Sequence, residues 1–273
     1  MPNFKAVWAG IAGVHHTNDR KTLTARLADL LKVSTNTGSL ILTSDSALLG
    51  ACVGMDGTVE TGIALIAGTG SVATAFKGDS RGEMIQIGRI GGWGALLGDE
   101  GSAFDIGKQA LQALLRKVEA AQGEDEYCLS ELESQVLERI GQGKKEVLYR
   151  ILYSDMQPRH IIGDLAKVVT KLGFQVNSPD LEAFDILRSA ARSLTQLVLP
   201  LTRPRMCEPK QSRLVLSGAL LNIPQFKDLV LSELSCQGIG PFKEVMVIDD
   251  VASCAAKFLQ SQYFKLDNNQ HVN

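Results

Sequence analysis

The stretch Gly91–Gly107, GGWGALLGDEGSAFDIG, decides how this chain is read. Six of its seventeen residues are glycine, Trp93 stands among them, and Asp99 and Glu100 lie in a Gly-Asp-Glu-Gly turn just before an amphipathic segment. Each glycine weakens a helix interior by about 1 kcal/mol relative to alanine. The density therefore argues for a loop whose bare backbone comes close to something. Trp93 offers an apolar face that can pack or wedge the loop. A carboxylate just before a helix either caps it or accepts hydrogen bonds from ligand hydroxyls. Singly, a cap and a core indole are the simpler readings; together, at this density, the residues point to a ligand loop.

Working outward, Phe104, Ile106, Ala110, Leu111 and Leu114 form one apolar stripe from Ala103 to about Val118, a helix. Upstream, GIALIAGTGSVATAF (Gly62–Phe76) reads as strand, glycine turn, strand, and MIQIGRI (Met84–Ile90) as a further strand. KAVWAGIAGV (Lys5–Val14) and SLILT (Ser39–Thr43) are short buried strands. Between them, Leu23, Leu27, Leu30 and Leu31 recur at helical spacing. DSALLGACVG (Asp45–Gly54) reads as a helix with Asp45 at its start. Downstream, the region Glu124–Val176 is rich in helix formers and charge. Ser178–Leu201 is a long helix with Ser178 as its expected N-cap and Pro179 at its first position. SRLVLSGALLN (Ser212–Asn222) is a strand, a tight turn and a helix start. EVMVIDD (Glu244–Asp250) is a last strand, followed by a last helix. Alternating strands and helices, with hairpins near the front, predict an α/β fold.

Composition sets the bounds. The 273 residues are 45% hydrophobic and 21% charged, which describes a folded chain with a sizeable core. A net charge of −2 supplies no field for nucleic acid or an anionic membrane. The chain has no apolar run of about 18 residues and no signal-peptide pattern at Met1–Gly10. Its five widely spaced cysteines include no CxxC pair and read as reduced cytoplasmic thiols. No metal-ligand set is expected.

Two further constellations carry chemistry. In IAGTGS (Ile66–Ser71), Gly68 and Gly70 let backbone N–H groups approach phosphate oxygens, and Thr69 and Ser71 add hydroxyls. The dinucleotide fingerprint would open a helix here, but the β-branched SVATAF that follows is a strand. A plain hairpin turn is the simpler alternative. In LTSDSALLG (Leu42–Gly50), Asp45 ends a buried strand, where it is either a helix cap or a general base facing a cleft. Ser217 and Gly218 form a small turn after a strand, which brings backbone against a flat ligand.

IAGTGS, GGWGALLGDEGSAFDIG and LTSDSALLG together resemble the N-acetylglucosamine kinase group. That group lies within the BadF/BadG/BcrA/BcrD ATPase-like branch of the actin and hexokinase superfamily. The resemblance runs from about Ala6 to Ala256. It implies a two-lobed actin-like ATPase fold with ribonuclease-H-like sheets, and ATP, Mg²⁺ and sugar meeting between the lobes. It makes Asp45 the base for the sugar hydroxyl and Gly68, Thr69, Gly70 and Ser71 the second phosphate loop. Gly92, Trp93 and Asp99 become sugar contacts, Ser217 and Gly218 the adenosine turn, and Glu100 a support for the loop or helix start.

The sequence departs from that family in two places. It holds no Asp-Gly-Gly-Thr-type first phosphate loop, so the N-terminal lobe is expected to be incomplete, and with it an asparagine that contacts the sugar in relatives. It also has Ser217-Gly218-Ala219 where relatives often show two glycines. The expected division is residues 1–61 for the partial N-terminal lobe and 62–273 for the C-terminal lobe, with the last helix packing back. The expected function is ATP-dependent phosphorylation of an amino sugar, N-acetylglucosamine first. The alternative is a non-catalytic relative that binds a sugar or a partner. The expected partner is a small sugar, without nucleic acid or membrane, in a monomer or homodimer located in the cytoplasm.

Overall fold

A computed structural model describes residues 4–11, 17–34, 39–80, 83–120, 129–140, 158–203 and 206–270. Strand β1 (Val7–Gly10) pairs in parallel with β2 (Leu40–Thr43), Val7 opposite Leu40 and Gly10 opposite Thr43. Parallel neighbours need a crossover, and helix α1 (Thr17–Leu31) lies between them in sequence. Trp8 Nε1 donates to Thr43 Oγ1 at 2.9 Å across the pair. After β2 the chain makes a 3₁₀ turn over Asp45–Ala47 and then enters α2 (Leu48–Gly54). The helix expected from Asp45 therefore begins as a tighter turn. The last part of the expected first strand, residues 12–14, lies outside the described residues.

A second sheet has five strands in the order β5-β4-β3-β6-β7. Strands β3 (Thr61–Ala67), β4 (Ser71–Gly78) and β5 (Met84–Gly91) form an antiparallel meander, while β6 (Arg213–Ser217) and β7 (Glu244–Ile248) run parallel to β3. This is the mixed order of a ribonuclease-H-like sheet. Period-two geometry explains why the central strand is apolar on both faces. Ile63, Leu65 and Ala67 join a large cluster with residues of α3 (Ala103–Ala120), α4 (Glu131–Ile140), α5 (Pro158–Asp164), α6 (Ala166–Gly173), α7 (Leu181–Val198) and α8 (Pro224–Cys236). Ala64 faces the other way, into a cluster with Leu49, Cys52 and Val53 of α2 and Cys254 of α9 (Val251–Gln270).

Helices α2 and α9 lie between the two sheets. Ala51, Ala255 and Phe258 are buried together with Leu48 and Trp8 packed against them, and the Trp8 and Phe258 ring centroids stand 6.4 Å apart. On the edge of α2, Arg213 is fully buried. Its Nη1 donates to the Val53 carbonyl at 2.6 Å, its Nη2 to both Asp56 oxygens at 2.9 and 2.7 Å, and its Nε to Glu244 at 2.9 Å. A buried guanidinium is tolerable only when paired in this way. The guanidinium in turn pulls the Asp56 carboxyl down to about 2.

Two local expectations are corrected. The N-cap of α7 is Asp180, not Ser178: Asp180 Oδ1 accepts the Ala183 amide at 2.9 Å, and the Asp180 amide is already held by the Leu172 carbonyl at 3.1 Å. The chain therefore cannot be helical before Asp180, and Pro179 precedes the cap instead of opening the helix. The helix expected at Ala219–Asn222 is a turn, and α8 opens at Pro224, where proline's fixed φ suits a first helical position. Cys52, Cys207, Cys236 and Cys254 are free thiols, and burial pushes the Cys207 thiol up to about 11. Cys128, and the parts of the Glu124–Val176 region at 124–128 and 141–157, lie outside the described residues.

Candidate functional site

Strands β3, β6 and β7 are parallel, so their C-terminal ends meet at one edge of the sheet, the usual ligand side of an α/β fold. The Gly68–Thr69–Gly70 turn sits there between β3 and β4. Its Gly68 amide donates to the Gly70 carbonyl at 3.0 Å. The Gly68 carbonyl accepts the amide of Ala103, the first residue of α3, at 2.8 Å. A long helix thus starts against the turn, with its positive end toward it. A Cβ on Gly68 would meet nothing within 4 Å, and Thr69 is exposed. A Cβ on Gly70 would stand 2.7 Å from Asp99 Oδ1 and 2.9 Å from Arg159 Nη2. The turn is open on one side and packed by charged groups on the other, which suits an amide-lined anion cradle.

The Gly91–Gly107 loop is fastened to this turn through Ser71, which is 3% exposed. The Ser71 amide donates to Asp99 Oδ1 at 3.2 Å, its hydroxyl donates to the Glu100 carbonyl at 2.7 Å, and its carbonyl accepts the Gly92 amide at 2.9 Å. Asp99 is itself 3% exposed and left-handed at φ 63°. Among residues with a side chain, Asp and Asn tolerate that region best. Its second oxygen accepts from Arg159 Nη2 at 2.7 Å.

Neither Asp99 nor Glu100 caps α3. Ser102 Oγ accepts the Asp105 amide at 3.2 Å, and Asp105 Oδ2 accepts the Gly101 amide at 3.0 Å, a relative of the capping box in which the second bond goes to the residue before the cap. The Glu100 side chain is exposed, and the residue holds the loop through its carbonyl.

A second turn closes onto the first. Gly218 has φ 103°, and a Cβ there would lie 2.5 Å from the Ala67 carbonyl oxygen and 3.1 Å from the Gly68 nitrogen. Only glycine fits both the conformation and the gap. The Leu220 amide donates to the Ala67 carbonyl at 3.2 Å, and Ser217 Oγ donates to the Ile248 carbonyl at 2.9 Å. The structure thus brings together Gly68, Thr69, Gly70, Ser71, Asp99, Ser217 and Gly218. Gly92 joins them through its amide.

Trp93 is not a core indole. It is 69% exposed, with Leu96 and Leu97 also exposed on the same loop, so a row of apolar side chains faces solvent beside the turn. Asp45 is exposed at the end of β2, in the other sheet. Gly10 ends the neighbouring strand, and a Cβ there would stand 3.3 Å from the Asp45 Cα. The hydrogen bonds around the glycine turn do not include Asp45. Sequence reasoning missed Arg159, which carries no motif and lies within the stretch 124–176, read only as rich in helix formers and charge. No helix among the described residues is long and apolar enough to cross a membrane.

A family model described as the BadF/BadG/BcrA/BcrD ATPase family matches residues 25–239. The chain is similar to the N-acetylmuramic acid/N-acetylglucosamine kinase of Clostridium acetobutylicum, 28% identical over 219 residues, which is 80% of this chain and 64% of the relative. It is also similar to the N-acetyl-D-glucosamine kinase of Dictyostelium discoideum, 30% identical over 111 residues, 41% of this chain and 32% of the relative. The chain thus spans less than two thirds of the length of either relative. Two solved structures share its fold, both provisionally described as N-acetylglucosamine kinases. The one from Porphyromonas gingivalis has a TM-score of 0.66 at 18% identity, covering 95% of this chain and 77% of that one. The one from Chromobacterium violaceum has a TM-score of 0.60 at 21% identity, covering 96% and 78%.

Proposed function

The chain belongs to the BadF/BadG/BcrA/BcrD ATPase family, and on that premise we propose that it is an amino-sugar kinase that transfers a phosphoryl group from MgATP to N-acetylglucosamine. The observation that carries this reading is the fastening of two glycine turns and a carboxylate loop at one sheet edge, through Ser71–Asp99 and Gly218–Ala67. The kinase names of the two curated relatives support the choice of substrate.

In this reading the sugar hydroxyl oxygen attacks the γ-phosphorus, the bond to the bridging oxygen breaks, ADP leaves, and the hydroxyl proton passes to Asp45. Such transfers depend on positioning and charge compensation more than on covalent chemistry. Thr69 and Gly70 offer phosphate oxygens their amides and the Thr69 hydroxyl, while Gly68 and Ser71, whose amides are held by the Gly70 carbonyl and Asp99, shape and brace the cradle. Ser217 and Gly218 form the wall against adenosine, and the bare Gly218 lets this turn close onto Ala67 and the phosphate turn. Gly92, Trp93 and Asp99 take the sugar, with Trp93 offering a flat apolar face and Asp99 a carboxylate. Mg²⁺ arrives as part of the substrate, held chiefly by phosphate oxygens and few protein groups. We place the reaction in the cytoplasm, where ATP is abundant and thiols such as Cys52 stay reduced.

Calorimetric titration tests the reading. MgATP and N-acetylglucosamine each bind, Thr69→Ala weakens only the nucleotide, and Trp93→Ala weakens only the sugar. A protein that binds neither ligand overturns the proposal.

A further inference from the structure

Next to the open glycine turn stands a cation that the residue roles above leave unused. Arg159 Nη2 donates to Asp99 Oδ2 at 2.7 Å and would lie 2.9 Å from a Cβ on Gly70. Its side chain is 44% exposed, whereas the Asp99 side chain is 4% exposed. Arginine has five N–H donors, and Asp99 is its one partner among the described residues. We propose that Arg159 is a phosphate-contacting residue that lies along the Gly68–Gly70 turn and gives its remaining donors to the phosphoryl group being transferred. This inference rests on the reading of that turn as a phosphate cradle.

Three observations carry it. The first is charge. A polyphosphate on the turn comes close to the Asp99 carboxylate, which is buried and held against the Ser71 amide. Like charges at short range in a partly buried site repel strongly and are poorly screened by salt. Arg159 bonds the carboxylate and stands beside Gly70, so it compensates Asp99 and offers the phosphate an opposite charge.

The second is geometry. A planar guanidinium can hold a carboxylate with one edge and a phosphate with another, a two-sided fork that the three donors of an ammonium match only in part.

The third is rigidity. Helix α5 carries Arg159 and crosses α3 so closely that a Cβ on Gly107 would collide with the Ile162 carbonyl. One turn on, a Cβ on Gly163 would lie 3.8 Å from the Phe104 amide nitrogen and 4.0 Å from Thr69 Cγ2. The helix that carries Arg159 is therefore packed tightly on α3 beside the turn, as a contact residue requires.

The alternative role is structural: Arg159 only holds Asp99 in place. Titration of wild type, Arg159→Ala, Arg159→Lys, Asp99→Asn and the Asp99→Asn/Arg159→Ala double variant with adenosine, ADP and MgATP separates the two. Arg159→Ala is expected to lose roughly 10- to 100-fold in MgATP affinity while adenosine affinity stays unchanged. Arg159→Lys recovers part of the loss. The double variant loses MgATP affinity relative to Asp99→Asn alone, because the phosphate contact does not depend on the carboxylate. Where Arg159→Ala does not fold, Arg159→Gln removes the charge at similar length and serves in both backgrounds. Equal MgATP affinity of Asp99→Asn and the double variant, or equal losses for adenosine and MgATP, overturns the inference and leaves the kinase reading standing. A wild-type chain that binds no MgATP overturns both.

Discussion

Asp99 Oδ1 accepts the amide of Ser71 at 3.2 Å, so the loop that follows β5 is tied to the residue that closes the glycine turn before β4. The carboxylate is buried and left-handed, and its other oxygen holds Arg159. Asp99→Ala therefore leaves the Ser71 amide unpaired and frees Arg159. An unsatisfied buried donor costs about 1–3 kcal/mol. The expected result is a loss of that size in unfolding free energy from urea denaturation, together with a loss of N-acetylglucosamine affinity of about 1–3 kcal/mol. Unchanged stability and unchanged sugar affinity would remove Asp99 from the site.

Gly218→Ala tests how the two turns meet. The substitution places a methyl group 2.5 Å from the Ala67 carbonyl oxygen at a φ of 103°. Backbone strain of this kind costs about 1–3 kcal/mol. Denaturation should show that loss, and MgATP affinity should fall with it because the turn must back away from Ala67. A variant as stable as wild type would mean that the turn has room to move.

Acid should loosen the clamp between α2 and the sheet. The Arg213 guanidinium draws the Asp56 carboxyl from 3.8 down to about 2 in the folded chain. A depressed carboxyl contributes stability that is present above its unfolded value and is lost as pH falls through the folded one. The contribution is thus complete above pH 4 and disappears between about 4 and 2. The side chain is 45% exposed, so solvent screening keeps the effect modest. Urea midpoints followed from pH 5 to pH 2 should fall more steeply for wild type than for Asp56→Asn. Parallel curves would contradict the assignment.

Much of this arrangement is legible in the sequence because the local signals agree. The β-branched SVATAF after Gly70 marks a strand and so makes the glycine turn a hairpin, as the β3–β4 pairing shows. The apolar run Gly62–Ala67 reads as a strand, and in the fold its side chains enter two clusters, one on each face. Three features are not legible, each because a distant partner decides. Ser178 and Asp180 are both good caps, and the Leu172 carbonyl selects the second. Arg213 looks like an ordinary charge at a strand end until Asp56 and Glu244 are seen around it. Arg159 has no motif at all, and its proximity to Gly70 follows from the α3–α5 crossing at Gly107.

The central claim is that Asp45 takes the proton from the sugar hydroxyl. Asn at this position keeps the size and the ability to start a helical turn, but an amide cannot accept that proton. The direct measurement is ATP-dependent formation of phosphorylated N-acetylglucosamine. It compares the 273-residue chain, a chain extended at its N-terminus by an Asp-Gly-Gly-Thr-type phosphate loop, and the Asp45→Asn form of the extended chain. The extended chain is expected to turn over, and the 273-residue chain to show little or no turnover beside it. The Asp45→Asn form should bind ATP and sugar normally and lose about 10²–10⁴-fold in kcat. Full activity in Asp45→Asn would make Asp45 a helix start and nothing more, and no phosphorylated sugar from the extended chain would contradict the account as a whole.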